Sequence, residues 1–344
     1  MRAAATIAAL LVTASGAQAA LGPAGAGITA APGVRASVYA KVARPTALAL
    51  DPTGRLWVAT ADGSASPTGR VSLVAKSGAA PRTVIPGLRA PLGLLWHEGE
   101  LYVSSTGRLD AYSSFSAGHF AKRRPVVTGL PTGLHQNDAV VAGPDGRLYM
   151  GLGSPCDACV PRDPRQAAVL SFLPDGSDLR VVARGLRNPY GLAFIPGTLS
   201  LLITENGRDR LGLNSPPEEL NRLEIGGRVP NFGYPGCWGQ GGAPCTGKAA
   251  AFAKLAPHAS PDAVAVISSG RGAFTGTGAY IAQFGSSFKP PTGRNVVRVD
   301  VASRAVRTFA TGFANPLSLT ATKDQNLLVG DFGRGIIYLL AAKP

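Results

Sequence analysis

The chain has 344 residues, with 44 Gly, 28 Pro, 2 Met and a formal net charge of +14. Its Lys and Arg are scattered, Lys122-Arg123-Arg124 being the densest run, and no nucleic-acid motif accompanies them. This argues against a nucleic-acid partner; a basic funnel for an acidic small molecule accounts for the charge equally well.

Residues 1–20 read as a secretory signal peptide. Arg2 supplies the positive start, Ala3 to Ala14 a short apolar run, and Ala17-Gln18-Ala19 a small-x-small cleavage site. The expected location is therefore periplasmic or secreted. No later stretch approaches the ~18 apolar residues of a spanning helix, so no transmembrane span is expected. Residues 21–35, rich in Ala, Gly and Pro, read as a flexible leader. The remainder, 36–344, is long enough for one large domain with a substantial core.

One unit recurs through that remainder. Arg44-Pro45-Thr46-Ala47-Leu48 precedes Asp51-Pro52-Thr53-Gly54-Arg55-Leu56-Trp57, and equivalent pairs begin at Pro91, Asn137, Pro189, Pro261 and Pro316. The copies are 46, 46, 52, 72 and 55 residues apart, so the fourth carries an insertion. Each copy is a strand, a turn and a second strand. In Pro-Thr-Gly and Pro-Asp-Gly, Pro presets φ and Gly takes the left-handed position. A third strand (Gly69–Val74, Arg294–Val299) and a fourth (Arg82–Gly87, Val306–Gly312) follow. Four antiparallel strands per unit make a propeller blade. The stretch Ala36–Val42 is an orphan fourth strand and Gly335–Leu340 a third strand lacking its fourth; pairing them would close the ring and remove open edges. The fold expected is all-β: a six-bladed β-propeller of four-stranded blades. A β-sandwich would not explain the repeats.

Four cysteines lie in this exported chain: Cys156, Cys159, Cys237 and Cys245. Export favours disulfides, and local pairing is the simplest of the three connectivities. A zinc site and a catalytic redox pair are the rivals. A CxxCH haem attachment is absent because Val160 follows Cys159, so any electron acceptor is external.

A propeller gathers the starts of its inner strands around one axial funnel. His135, at the head of the third copy, is a candidate general base; the bland alternative is a polar turn residue. Arg187 and Asn188 head the fourth. A guanidinium there can bind a carboxylate or stabilise anionic charge, or serve only a salt bridge within the blade. Thr204 to Asp209, with Glu205, and Pro216 to Asn221, with Glu219, offer oxygen ligands suited to Ca²⁺ in an irregular loop; the alternative is a solvated acidic loop.

Together these motifs resemble the glucose/sorbosone dehydrogenase family of quinoproteins, from about Arg44 to Leu340. The carriers are Leu134-His135-Gln136-Asn137-Asp138, Gly185-Leu186-Arg187-Asn188-Pro189-Tyr190-Gly191, Thr204-Glu205-Asn206-Gly207-Arg208-Asp209, Asn231-Phe232-Gly233-Tyr234-Pro235 and Pro257-His258-Ala259-Ser260-Pro261. The segment Gly153 to Cys159 is similar to the sorbosone-dehydrogenase-like branch. The resemblance implies pyrroloquinoline quinone in the funnel with Ca²⁺ beside it. It implies oxidation of an aldose sugar, sugar aldehyde or related alcohol, with His135 as base. Arg187, Asn188, Gln136 and Lys289 would contact the cofactor, and Gly207 and Arg208 would offer backbone carbonyls to the metal. The chain departs from the family at His135-Gln136-Asn137-Asp138-Ala139, where well-known members carry His-x-Gly-Gly-Arg, at Tyr234, and in a fifth repeat expected to be contracted at Ser268 to Phe274, in place of a longer aromatic loop. Two other readings share the architecture. One is a non-catalytic propeller binding a glycan or a protein. The other is a Ca²⁺-dependent lactonase-like hydrolase with Asn137, Asp138, Asn188 and Asn315 at the axis.

Overall fold

A computed structural model describes residues 19–63, 66–239 and 241–343. The expected signal peptide lies almost wholly outside them. Among the described residues no helix is long and apolar enough to cross a membrane.

Six antiparallel sheets stand around a central axis. The innermost strands are Pro45–Leu50, Gly93–His97, Asn137–Ala142, Pro189–Phe194, Pro261–Ser269 and Pro316–Ala321. Each packs on the next, and the last packs back on the first. The ring is a closed six-bladed β-propeller. Closure comes from Val34–Lys41, which pairs antiparallel with Ile336–Ala342 and supplies the outer strand of the last blade. The core lies between blades: Trp57 and Val71 meet Leu101 and Tyr112 between the first two, and Leu109 meets Leu148 and Leu170 between the next pair.

Turn chemistry explains the regularity. Gly54 and Gly146 take φ of +83° and +76°, as their Pro-Thr-Gly and Pro-Asp-Gly turns require. Asp51 accepts from Thr53 N (3.0 Å), Arg55 N (3.1 Å), Arg55 Nε (2.7 Å) and Trp57 Nε1 (3.0 Å), tying the turn to its own strand.

One sequence expectation is corrected. Residues 21–35 are not a loose leader. Gly22–Gly25 and Ile28–Ala30 form a hairpin whose second strand pairs with Val306–Thr311, widening the fifth blade to six strands. Ile28 (2 % exposed) and Ala30 (1 %) are core residues, so burial of apolar side chains orders a segment whose composition suggested flexibility. The Ser268 to Phe274 segment lies away from the funnel. It turns the long Pro261–Ser269/Gly276–Gln283 hairpin at the face away from the strand starts, where Phe274 packs on Tyr280 and Phe309.

Candidate functional site

The inner strands enclose a channel of about 360 Å³, lined by apolar side chains such as Leu48, Leu94, Val140, Leu192 and Leu319. Near the strand starts the lining turns polar, with Thr46, Tyr190, Asp262 and Ser318. The sequence-expected residues lie on this face.

Backbone bonds lay the third and fourth blades side by side. His135 N donates to Ser154 O (3.1 Å), Ser154 N to Arg187 O (2.7 Å), and Asn206 N to Asn188 O (3.2 Å). His135, Arg187 and Asn188 are thereby brought together. A Cβ built on Gly153 would fall 2.3 Å from His135 Cβ and 2.9 Å from Asn188 Oδ1. Only glycine leaves room there for both side chains.

Arg187 is 3 % exposed. Its Nη2 donates to Asp209 Oδ2 (2.6 Å) and pairs with Asp157 Oδ1 (2.9 Å), and its Nη1 donates to Asn206 O (3.2 Å). Asp157 also accepts from Asp209 N (3.0 Å). Asp157 lies inside the Cys156–Cys159 disulfide loop, which Tyr234 anchors: its hydroxyl donates to Cys156 O (2.8 Å) and accepts from Cys159 N (3.1 Å). Cys237 pairs with Cys245. Local pairing is therefore the connectivity, and no thiol is left for zinc.

The electrostatics favour a neutral imidazole. Burial, and then the Arg187 charge, push His135 down to about 3, with Asp157 opposing. His135 Nε2, Asn188 Oδ1, Arg187 Nε and Arg208 Nε are all buried without a partner in the protein. Arg208 lies over Trp238, 5.2 Å from the ring centre.

The remaining candidates are placed differently. Gln136 spends its amide on a blade-to-blade tie, accepting from Thr106 Oγ1 (2.5 Å) and donating to Ala90 O (2.8 Å). Lys289 is exposed, next to Phe288. Glu205 accepts from Arg187 N (2.7 Å) and Asn221 Nδ2 (2.9 Å), and Glu219 shares the same amide at 3.1 Å. These two carboxyls are turned to the blade's own donors, and burial raises both above the usual carboxylate range. Among the described residues no three His, Cys, Asp or Glu side chains are arranged to hold a metal. Asn137 donates to Ser104 Oγ, Ser105 O and Arg108 O, and Asn315 to Phe284 O. The Asn137 oxygen also accepts from Gly107 N (2.8 Å), so its whole amide serves ties between blades; Asn315 commits only its Nδ2 and keeps an oxygen for a ligand.

Sequence reasoning missed Gly153, Asp157 and Asp262. Gly153 and Asp157 lie inside a quoted motif, but their importance depends on His135, Asn188 and Arg187 across a blade boundary. Asp262 (5 % exposed) accepts from Asn206 Nδ2 (2.8 Å), and burial raises it to about 7.

No family model matches the sequence. A protein of Borreliella burgdorferi described only as uncharacterized is 25% identical over 171 residues; the match spans 46% of this chain and 44% of that protein, so the chain spans less than half the length of this curated relative. Solved structures match far more of it. A calcium structure of a Trichoderma reesei carbohydrate-active enzyme of family AA12 superposes with TM-score 0.75 at 19% identity, covering 92% of this chain and 97% of that one. The holo pyranose dehydrogenase PQQ domain from Coprinopsis cinerea gives 0.75 at 20% identity, covering 91% and 96%. The PQQ-bound aldose sugar dehydrogenase of Streptomyces coelicolor gives 0.68 at 22% identity, covering 90% and 98%. The chain has their fold. At such identities the likeness speaks for architecture, and the chemistry rests on the residues above.

Proposed function

We propose that the chain is a quinoprotein dehydrogenase of the glucose/sorbosone dehydrogenase kind, oxidising an aldose sugar, a sugar aldehyde or a related alcohol. The observation that carries this reading is the group of buried, unpartnered polar atoms on one face: His135 Nε2, Asn188 Oδ1, Arg187 Nε and Arg208 Nε. Buried polar atoms without partners are expensive, and such a cluster at a funnel is a site awaiting a polar ligand. The Arg187 and Arg208 guanidinium donors suit a carboxylate, the Asn188 oxygen and the neutral imidazole nitrogen accept, and similarly folded proteins carry pyrroloquinoline quinone or calcium.

Arg187, Asn188 and Arg208 would hold the cofactor's anionic edge, and the Gly207–Arg208 backbone would offer oxygens to Ca²⁺. Lys289 would add a cation from loop 284–294, and Gln136, tied to Thr106 and Ala90, would contact the cofactor through its remaining amide N–H. When bound, the quinone supplies the hydride acceptor. The chain supplies the rest. His135, neutral at working pH, accepts the substrate hydroxyl proton at Nε2. An anion seated beside Arg187 would offset the charge that depresses the imidazole and bring it closer to its working range. Asp157 and Asp209 keep the Arg187 guanidinium in place. Electrons leave to an external acceptor. Two disulfides suit an oxidising compartment, and we assign the protein to the periplasm or the exterior.

The test is a titration of the purified chain with pyrroloquinoline quinone, with Ca²⁺ and with EDTA, followed by a panel of aldoses and a redox dye. A saturable, Ca²⁺-dependent absorbance change and sugar-dependent dye reduction are expected. If the quinone does not bind, the redox reading falls and a non-catalytic glycan- or protein-binding propeller takes its place. Lactone hydrolysis with Ca²⁺ alone would instead establish the hydrolase.

A further inference from the structure

The Pro257-His258-Ala259-Ser260 motif has no part in the chemistry above, yet it lies where two funnel loops meet. His258 is buried (7 % exposed) and holds φ of +56°, a conformation that costs a side-chain-bearing residue energy. Its Nε2 lies 2.8 Å from the carbonyl oxygen of Gly212, the middle of loop 206–217. Its ring meets Phe288, in loop 284–294, edge to face at 4.8 Å. One imidazole thus touches both loops.

The surrounding backbone reinforces the junction. His258 O accepts from Thr292 Oγ1 (3.1 Å), Gly285 N donates to Ala259 O (2.9 Å) and Phe284 N to Ser260 O (2.8 Å). Glu218 accepts from Gly207 N (2.5 Å) and from the backbone of Ser260. Towards their tips the loops expose apolar side chains: Leu213 is 61 % exposed and Phe288 40 %. Apolar burial therefore does not hold the tips, and the imidazole contributes a directed bond to one and a ring contact to the other. Those loops carry Gly207 and Arg208 on one side and Lys289 on the other.

We infer that His258 is a positioning residue that locks loops 206–217 and 284–294 into one wall of the funnel, fixing Gly207–Arg208 relative to Lys289. The consequence for ligand binding rests on the quinoprotein reading; the locking itself does not. Histidine suits the place because it combines a donor with an aromatic edge. Glutamine keeps the donor alone and phenylalanine the ring alone.

This gives a separable test on the full chain without quinone, by amide hydrogen exchange. His258→Phe should speed exchange in 206–217 and leave 284–294 as it was. His258→Gln should do the reverse, and His258→Ala should loosen both. Each rise should be about tenfold, the effect of losing one such contact, with the blade strands unchanged. Equal loosening of both loops in all three variants, or of neither loop in His258→Ala, overturns the inference. In Ca²⁺-dependent quinone titration, His258→Ala should bind about tenfold more weakly, as when a residue that orients metal ligands is lost. Unchanged binding in a loosened His258→Ala would overturn the link to the ligand. A wild-type chain that binds no quinone would instead overturn the functional reading, while the exchange pattern would still judge the lock.

Discussion

Two carboxylates with little exposed surface, Asp51 at a blade turn and Asp138 at the axis, meet opposite fates. Burial pushes Asp51 up, yet the donors of Thr53, Arg55 and Trp57 outweigh it and hold the group below the usual carboxylate range. Asp110, 1 % exposed, has Arg108 on both oxygens and Arg123 beside it. At the axis Asp138, 2 % exposed, has an oxygen with no partner, and burial, then Asp262, raise it well above the usual range. Asp51 is the shallower of the two and its donors prevail; at the axis deep burial prevails, even over the Asn206 and Ser260 donors on Asp262. The turns are finished structures. The axis is a buried polar floor, with partnerless atoms, beside an imidazole and a guanidinium, and the proposed ligand site rests on that contrast.

The comparison is tested most severely by separating activity from stability. His135→Ala should lower turnover by roughly 10²–10⁴-fold, the usual worth of a general base, while the quinone titration keeps its endpoint. Loss of binding together with turnover would make His135 a structural residue. Gly153→Ala comes next. Its new Cβ must displace His135, Asn188 or the Gly153 backbone, and a misplacement of about 1 Å costs on the order of 10²-fold in rate. Steady-state kinetics at saturating quinone would show it; an unchanged kcat would mean the funnel relaxes freely.

The ring was legible because each blade announces itself locally. Pro45, Pro91, Pro189, Pro261 and Pro316 open inner strands, and turns such as Pro144-Asp145-Gly146 close them. His135, Arg187 and Asn188 were legible because they sit at fixed offsets from those strands. What was hidden depends on contacts between blades. Gln136 carries the offset of a site residue, but Thr106 and Ala90 of the neighbouring blade engage it. Glu205 and Glu219 look like ligands in sequence and are turned to Arg187 and Asn221 in space. Ile28 and Ala30 became core only because Val306–Thr311 offers them an edge.

The outer half of the comparison predicts a smaller effect. Asp51→Asn loses its charge-assisted bonds to Arg55 and leaves the Trp57 and backbone donors poorly met, which should cost about 2 kcal/mol, roughly 30-fold in folding equilibrium, with turnover unaffected. The folded-state carboxyl is depressed, so its contribution is present above the unfolded carboxylate range and is lost as pH falls through it. The melting gap between wild type and variant should therefore close on acidification from about pH 5 to pH 3. A gap that stays constant would mean the carboxylate's charge is irrelevant there.

The axial half predicts the reverse sign. Unfolded, Asp138 ionises near pH 4. Folded, it stays protonated to well above that, so the folded chain binds the extra proton across the interval. Stability from this group is complete below about pH 4 and drains away as pH rises. Asparagine keeps the shape and cannot ionise. Asp138→Asn should therefore match wild type near pH 4 and exceed it by about 1 kcal/mol or more near pH 8, read as a melting-temperature difference that widens with pH. Asp262→Asn should follow the same course but level off near pH 7, where the folded carboxyl itself ionises. A difference that is flat in pH would mean the axial carboxyls are already ionised in the folded chain. They would then be anions at the floor of the funnel, and a site whose partnerless groups await a polycarboxylate would be facing the wrong charge.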